Sequence, residues 1–366
     1  MRAAVLESAG QPLVVRDDVD IIEPRAGEVR VRVRFCGLCH SDYSIVSGSF
    51  PMPGPIILGH EAAGTVDCVG PGVTHLAPGD PVILTPLPPC GSCYFCLRSQ
   101  HNLCVNGMSL ATMALPDGET GLSRNGEKIL RGVGVGALAE YVVTPASGAI
   151  KVDADVPLDV ACVIGCAMQT GVGAVLNTAH VEAGATVLVM GLGGIGLAAV
   201  QGARLAGASV LIASDPLPER RAAALKFGAT HAIDPVTDDL PGTVMRLTGG
   251  IGVDYAFEAA GKAALIETGI ALTRSGGTTL CLGAPPLEEN VTIPMVTIFA
   301  STEKKLCGCL LGSCNSPRDI PRLISLWRNG QLDLESMITH RRPLAEINEG
   351  FADLAAGRGI RTVIEI

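Results

Sequence analysis

The run from Ala185 to Gly196 restricts this chain more than any other. Ala185-Thr186-Val187-Leu188-Val189-Met190 is short, apolar and rich in β-branched residues, as a buried strand of a parallel sheet must be. Gly191-Leu192-Gly193-Gly194-Ile195-Gly196 follows without a break, and Leu197 to Ala206 then reads as a helix. Glycines at 191, 193 and 196 suit, in turn, a tight turn, the approach of a pyrophosphate to the backbone, and close packing of helix on strand. The helix start, with Gly194 and Ile195, offers unpaired N–H groups and a positive dipole end to phosphate. A second strand, Ser209 to Ser214, ends at Asp215, where an acid that holds a ribose belongs. A bare GxGxxG is a weak signal. Strand, glycine loop, helix, second strand and acid in that order make it a strong one.

At 366 residues the chain is long enough for two domains and a large core. Its 45 glycines and 24 prolines keep no fixed period, so they mark turns rather than a low-complexity tail. No apolar run reaches the length of a membrane span. The opening residues, with Glu7, Asp17 and Asp18 among them, do not read as a signal peptide. A net charge of −9 without a basic stripe argues against nucleic acid as the main partner. Thirteen cysteines without a leader point to metal or thiol chemistry in a reducing compartment, so a cytoplasmic, metal-binding protein is expected.

Residues 1 to about 165 differ in texture from the centre. Val14-Val15, Val29 to Phe35 and Thr65 to Val69 alternate or run β-branched, separated by turn clusters such as Pro24-Arg25-Ala26-Gly27 and Ala77-Pro78-Gly79-Asp80. A short-stranded, mostly antiparallel β region is predicted. Within it, Cys90-x-x-Cys93-x-x-Cys96 and then Cys104 supply four thiols, a closed tetrahedral set suited to structural zinc. An iron–sulfur site has the same ligand count. Zinc is preferred because no redox partner for a cluster is visible. Cys36, Cys68, Cys162, Cys281, Cys307, Cys309 and Cys314 read as core residues.

Further along, Asp254 to Glu258 and Gly277 to Gly283 read as strands, with helical patterns near 217–227 and 262–273. A βαβ alternation implies a doubly wound parallel sheet whose ligand lies at the carboxyl ends of the strands.

Several short motifs together resemble the zinc-dependent medium-chain alcohol dehydrogenases over essentially the whole chain. They are Gly59-His60-Glu61-x-x-Gly64 with Gly70 and Val73 after it, the four-cysteine lobe, and Cys39-x-Ser41-Asp42. Cys166 with Thr170-Gly171, the Gly191–Gly196 loop with Asp215, and Ile360-Arg361-Thr362 complete the match. The resemblance implies an α/β fold in which a Rossmann nucleotide domain is inserted in a mostly β, GroES-like catalytic domain. The implied boundaries are 1–167 and 311–366 for the catalytic domain and 168–310 for the nucleotide domain.

The same resemblance links Cys39, His60 and Cys166 as ligands of a catalytic zinc with a fourth position left for water or substrate. Spacing alone does not join Cys166 to the other two. Two Zn2+ per chain and NAD are the implied cofactors. Zinc lowers the pKa of the alcohol oxygen, Ser41 takes the hydroxyl proton, and the nicotinamide accepts the hydride. Asp42 orients His60 through its other ring nitrogen. Glu61 is either a transient ligand or a charge beside the metal. His40 and Arg361 match positions that hold the pyrophosphate, Thr170 lies near the nicotinamide, and Leu282 is counted among the cofactor contacts. Asp215 favours NAD over NADP, because a carboxylate accepts from a free 2′-hydroxyl and repels a 2′-phosphate. Arg220 and Arg221 belong to a solvated helix face or the adenosine ribose.

The chain also departs from the family pattern. Many members carry a histidine five residues after the first zinc ligand, where Ser44 stands here. By its long loop between Cys104 and Cys166 the chain falls on the class III-like branch. The glutathione-binding arginine and acid of formaldehyde dehydrogenases are replaced by Met108 and Phe50. Phe50, Pro86, Ser109, Gly132, Val133, Ala284 and Leu310 map to an apolar, roomy substrate pocket, suited to medium-chain or aromatic primary alcohols. A homodimer is expected through edge strands near Val291–Val296 and Lys304–Leu310, with a tetramer as the alternative. Three other functions stand as alternatives: a nicotinoprotein with tightly bound NAD(H), a glutathione-dependent formaldehyde dehydrogenase, and, more remotely, a non-catalytic family member, which tends to lose the zinc ligands, whereas Cys39, His60, Cys166 and Ser41 are all present here.

Overall fold

The computed structural model describes residues 1–107, 112–293 and 295–366. The chain divides into two compact units, Met1–Ala167 with Cys314–Ile366, and Met168–Ser313. The second crossing falls after Ser313 rather than at 310. Leu311–Ser313 belongs to the central unit because Gly312 sits directly on the backbone of Gln169 and Gly173 and Thr178 Oγ1 meets Ser313 Oγ at 2.8 Å.

The central unit is a six-stranded sheet with every pairing parallel. Its strand order is His231–Ile233, Val210–Ser214, Thr186–Met190, Val253–Glu258, Thr273–Cys281, Lys305–Gly308. The first strand of the unit therefore lies in the middle, and the order reverses between Thr186–Met190 and Val253–Glu258. That reversal opens the crevice where doubly wound sheets bind ligands. Helices Gly194–Leu205, Pro218–Lys226, Leu240–Leu247 and Ala263–Leu272 return the chain between strands. Leu240–Leu247 had no clear sequence signal beyond Asp239, whose carboxylate caps it by accepting from Gly242 N at 2.9 Å. Leu188, Met190, Ile212, Val244 and Ala256 build the core of this unit.

The other unit is mostly antiparallel. Its largest sheet centres on Glu28–Gly37, a ten-residue strand flanked by Glu61–Val69, Tyr141–Pro145 and Arg361–Glu365. Alternation along Val29, Val31 and Val33 buries one face, as period-two patterning requires. Two pairings run parallel, Leu130–Arg131 with Ile56–Ile57 and Ile338–Pro343 with Arg361–Glu365. Val14 and Val15 do form a strand, but an exposed one.

Several expectations are corrected. Cys36, Cys162 and Cys314 are buried, whereas Cys68, Cys281, Cys307 and Cys309 are only partly so. The described residues of 291–296 form no strand; Val296 instead opens the helix Val296–Ser301, and the edge strand is confined to Lys305–Gly308. Among the described residues, no single helix is long and apolar enough to cross a membrane.

Candidate metal centres and nucleotide loop

Three neighbouring strands bring the dispersed motifs together. Gly37, at the end of the long strand, pairs with Glu61 on one side and Val363 on the other. Cys39 lies just past that strand end, His60 and Glu61 at the start of the next strand, and Arg361 at the start of the C-terminal one. Cys166 arrives from the short turn Cys162–Gly165. Thiol, imidazole and carboxylate atoms of Cys39, His60, Glu61 and Cys166 all lie within 4.8 Å of one another. Two soft sulfurs, one imidazole and one oxygen are a donor set that suits zinc.

The surroundings fit a buried cation. Asp42 is fully buried in the first turn of the helix His40–Ser47, and its Oδ2 stands 3.1 Å from His60 Nδ1. Its Oδ1 accepts from Gly59 N at 2.9 Å. Gly59 has φ +93° and carries no Cβ because one would press on Cys36 and Leu138, which explains the glycine ahead of His60. With Nδ1 facing Asp42, the other ring nitrogen is left for a metal.

Glu61 is also fully buried, and among the described residues neither of its oxygens accepts an aligned hydrogen bond. Space for this carboxylate exists because residue 37 is glycine; a Cβ there would lie 2.5 Å from Oε2. Burial pushes the Glu61 carboxyl up to about 8, against the pull of Arg361. Arg361 Nη2 is 2.9 Å from Glu61 Oε1 as an ion pair, and Nη1 donates to Leu38 O at 2.9 Å. Its guanidinium is thus engaged inside this unit beside the thiols of Cys39 and Cys166, with only 4% of the residue exposed. Cys39 is held well below the usual thiol range, first by its hydrogen bond with Cys166 and then by His60 and Arg361, while Cys166 is pushed up. Ser41 is exposed on the same helix, its Oγ 3.7 Å from Cys39 Sγ, and His40 opens the helix edge-on to Tyr43. Ser44 is half-buried, and its carbonyl accepts from Phe50 N at 2.9 Å.

The four-cysteine lobe forms a second donor set, all within 4.8 Å. Cys93 and Cys104 sulfurs stand 3.9 Å apart. A tetrahedron with Zn–S near ~2.3 Å has edges of about 3.8 Å, so the spacing fits zinc closely. Backbone N–H groups of Ser92 and Cys93 pull the Cys90 thiol down to about 6, which readies it as a thiolate ligand.

In the central unit Gly191 has φ +87° and touches the 259–260 backbone, where a Cβ would lie 2.7 Å from Ala260 N. At Gly193 an added Cβ meets nothing within 4 Å, so the loop is open on that side. Gly193 N-caps the helix that begins at Gly194 and Ile195, and an added Cβ at Gly196 would strike Gly191 O at 1.8 Å. Asp215 is 4% exposed; its Oδ2 accepts from Leu192 N at 2.7 Å and its Oδ1 from Leu217 N at 2.9 Å. Arg220 stands 3.9 Å from that carboxylate, and Arg221 Nη1 donates to Asp215 O. Thr170 is buried beside Gly312, and Leu282 N donates to Glu258 O at 2.8 Å.

The residues mapped to a substrate pocket are not alike. Pro86, Gly132 and Val133 are buried, Phe50 and Ala284 exposed, and Leu310 half-buried. Ser109 and Met108 lie outside the described residues. Gly132 cannot widen a pocket by itself, since its Cβ position is filled by Leu58 and Ile57. Sequence reasoning missed the strain at Val133, a β-branched residue at φ +51°. Only its two flanking glycines hinted at a tight turn.

The model of the alcohol dehydrogenase GroES-like domain matches residues 25–154, and that of the zinc-binding dehydrogenases matches 194–329. Alcohol dehydrogenase B of Mycobacterium tuberculosis is 36% identical over 367 aligned residues, covering 99% of this chain and 97% of the relative. The crystal structure of benzyl alcohol dehydrogenase from Acinetobacter calcoaceticus superposes with a TM-score of 0.93 at 28% identity, covering 100% of this chain and 99% of that one. A zinc-binding dehydrogenase from Sinorhizobium meliloti 1021, bound to NADP, gives 0.81 at 31% identity, with 100% and 99% covered. The chain belongs to the zinc-dependent medium-chain alcohol dehydrogenases, a family of oxidoreductases.

Proposed function

We propose that this protein oxidises primary alcohols, medium-chain or aromatic, to aldehydes with NAD, using one catalytic and one structural zinc per chain. The observation that carries the reading is the buried convergence of Cys39, His60, Glu61 and Cys166 beneath an exposed Ser41. Bound there, zinc would supply Lewis acidity to the alcohol oxygen, and NAD would take up the two electrons. Asp42 faces the imidazole of His60 and orients it, Ser41 Oγ receives the hydroxyl proton, and either water or His40, next to Ser41 in the chain, passes that proton on. Arg361 pairs with Glu61 and favours its ionised form, against the burial that pushes that carboxyl up.

NAD is favoured over NADP by Asp215, a carboxylate at the end of the second strand that would repel a 2′-phosphate. A relative at 31% identity binds NADP, so both dinucleotides are compared in the test below. The benzyl alcohol dehydrogenase relative supports aromatic primary alcohols. A homodimer is supported by exposed Leu287, Met295, Val296 and Ile298, which cluster in sequence just before the edge strand Lys305–Gly308.

The test is nicotinamide reduction followed in the near ultraviolet, with NAD or NADP and a panel of primary alcohols, with and without glutathione. Steady NADH formation without glutathione supports the reading. A rate seen only with glutathione and formaldehyde replaces it with the formaldehyde dehydrogenase. Silence, with nucleotide released on denaturation, moves it to the nicotinoprotein, and a single zinc per chain to a non-catalytic member.

A further inference from the structure

Glu258 is a buried carboxylate that none of the chemistry above uses. It closes the strand Val253–Glu258, is 0% exposed, and pairs in register with Met190, the last residue of the strand before the glycine loop. These two strands flank the point where the sheet order reverses. A carboxylate buried where an anionic dinucleotide is to be received has an electrostatic cost, and burial duly pushes its pKa up. Such a group persists only if its contacts matter.

Those contacts are all with backbone. Oε1 accepts from Ala260 N at 2.8 Å and, at 3.3 Å, from Lys262 N. Oε2 accepts no hydrogen bond among the described residues and lies where a Cβ at Gly283 would be 2.9 Å away. The main-chain carbonyl of Glu258 accepts from Leu282 N at 2.8 Å and Gly283 N at 3.0 Å. Ala259 N donates to Met190 O at 2.8 Å, and Ala260 abuts Gly191 with no room for a side chain between them. Glu258 thus ties the 259–262 loop to the 282–283 loop, and Ala259 and Ala260 in the first of these meet Met190 and the glycine turn, all at the carboxyl edge of the sheet.

We propose that Glu258 is a positioning residue for the dinucleotide, its side chain holding the 259–262 loop in the shape against which the Gly191 turn is packed. No direct contact with the nucleotide is required, since the carboxylate is closed off from solvent. The inference rests on the proposed function only in taking the ligand of this crevice to be a nicotinamide dinucleotide.

The test uses the full-length protein and compares Glu258→Ala, Glu258→Gln and wild type for NADH and NADPH affinity by fluorescence, for KM and kcat, and for zinc content. Glu258→Ala is expected to raise the dinucleotide Kd and KM about tenfold, the weight of a charge-assisted hydrogen bond, with kcat nearly unchanged. Glu258→Gln keeps an oxygen for Ala260 N and should recover most of that loss. Zinc content stays at the wild-type level, since both metal sites lie in the other unit. Should the alanine variant not fold, Glu258→Asp withdraws the oxygens by one carbon and should give the same rise in KM. Unchanged affinity in a folded Glu258→Ala or Glu258→Asp overturns the inference, as does a kcat loss with KM unmoved. Wild-type protein that binds neither dinucleotide overturns the proposed function, and the inference with it.

Discussion

Asp42 Oδ2 stands 3.1 Å from His60 Nδ1, and both side chains are essentially sealed from solvent. The same carboxylate accepts from Gly59 N, so it faces the ring and also holds the chain that carries it. Asp42→Asn should therefore lower zinc affinity at the Cys39–His60–Cys166 site by about 10–100-fold, the usual weight of such a partner. Chelator competition with zinc quantified by mass spectrometry reads this directly. Metal retention equal to wild type would show that the thiols alone hold the ion.

The four-cysteine lobe carries its donors on a segment with little regular structure, two short 3₁₀ turns at Cys96–Arg98 and His101–Leu103. The proposed structural zinc would supply order that packing does not. Cys93→Ser should lose one zinc per chain and expose the lobe to proteolysis near Leu97, while the other zinc stays. Limited digestion with metal analysis tests it. A variant still holding two ions would exclude zinc as the organiser of the lobe.

Asp215 has two duties, fixing Leu192 N and Leu217 N and presenting negative charge beside Arg220. Asp215→Ala should cut kcat/KM for NAD by about tenfold or more, because it removes both backbone anchors and the proposed ribose acceptor. Its NADP-to-NAD preference should rise. An unaltered preference would show that discrimination lies elsewhere.

A pH-dependent part of the stability is expected at Asp353. Its Oδ2 accepts from Arg342 Nη2 at 2.6 Å and its Oδ1 from Arg358 Nε at 2.7 Å, and these bonds, Arg342 first, hold its pKa below the ordinary range. A carboxyl depressed in the folded state stabilises above its unfolded value, about 3.9, and that contribution is lost as pH falls through the lower folded value. Asp353→Asn should melt at a lower temperature than wild type at pH 7. The gap should close at acid pH, which melting curves from pH 7 downwards will show.

Much of this protein is legible in its sequence because the informative features are local. The strand and glycine loop of Thr186–Gly196 need only neighbouring residues to specify their turn, and they form as the pattern predicts. Cys90 to Cys104 likewise converge because they are close in the chain. The helix Leu240–Leu247 and the turn at Val133 were not legible, since packing and flanking glycines impose them against weak or contrary propensity. Arg361 shows another limit. Its motif resembles a phosphate contact, and only the structure shows that the guanidinium also pairs with Glu61 and donates to Leu38 O.

By itself, the sequence determined the parallel sheet with its glycine loop, the four-thiol lobe, and which dispersed residues deserved to be joined by resemblance. Only the tertiary structure decided that Cys39, His60, Glu61 and Cys166 meet, that Arg361 lies beside them, and that Glu258 joins the 259–262 and 282–283 loops at the sheet's reversal point. The physical reason is that hydrogen-bond register between strands far apart in sequence, such as Gly37 with Glu61 and Val363, sets these meetings. No local pattern encodes that register, because it is chosen by the burial of whole strand faces.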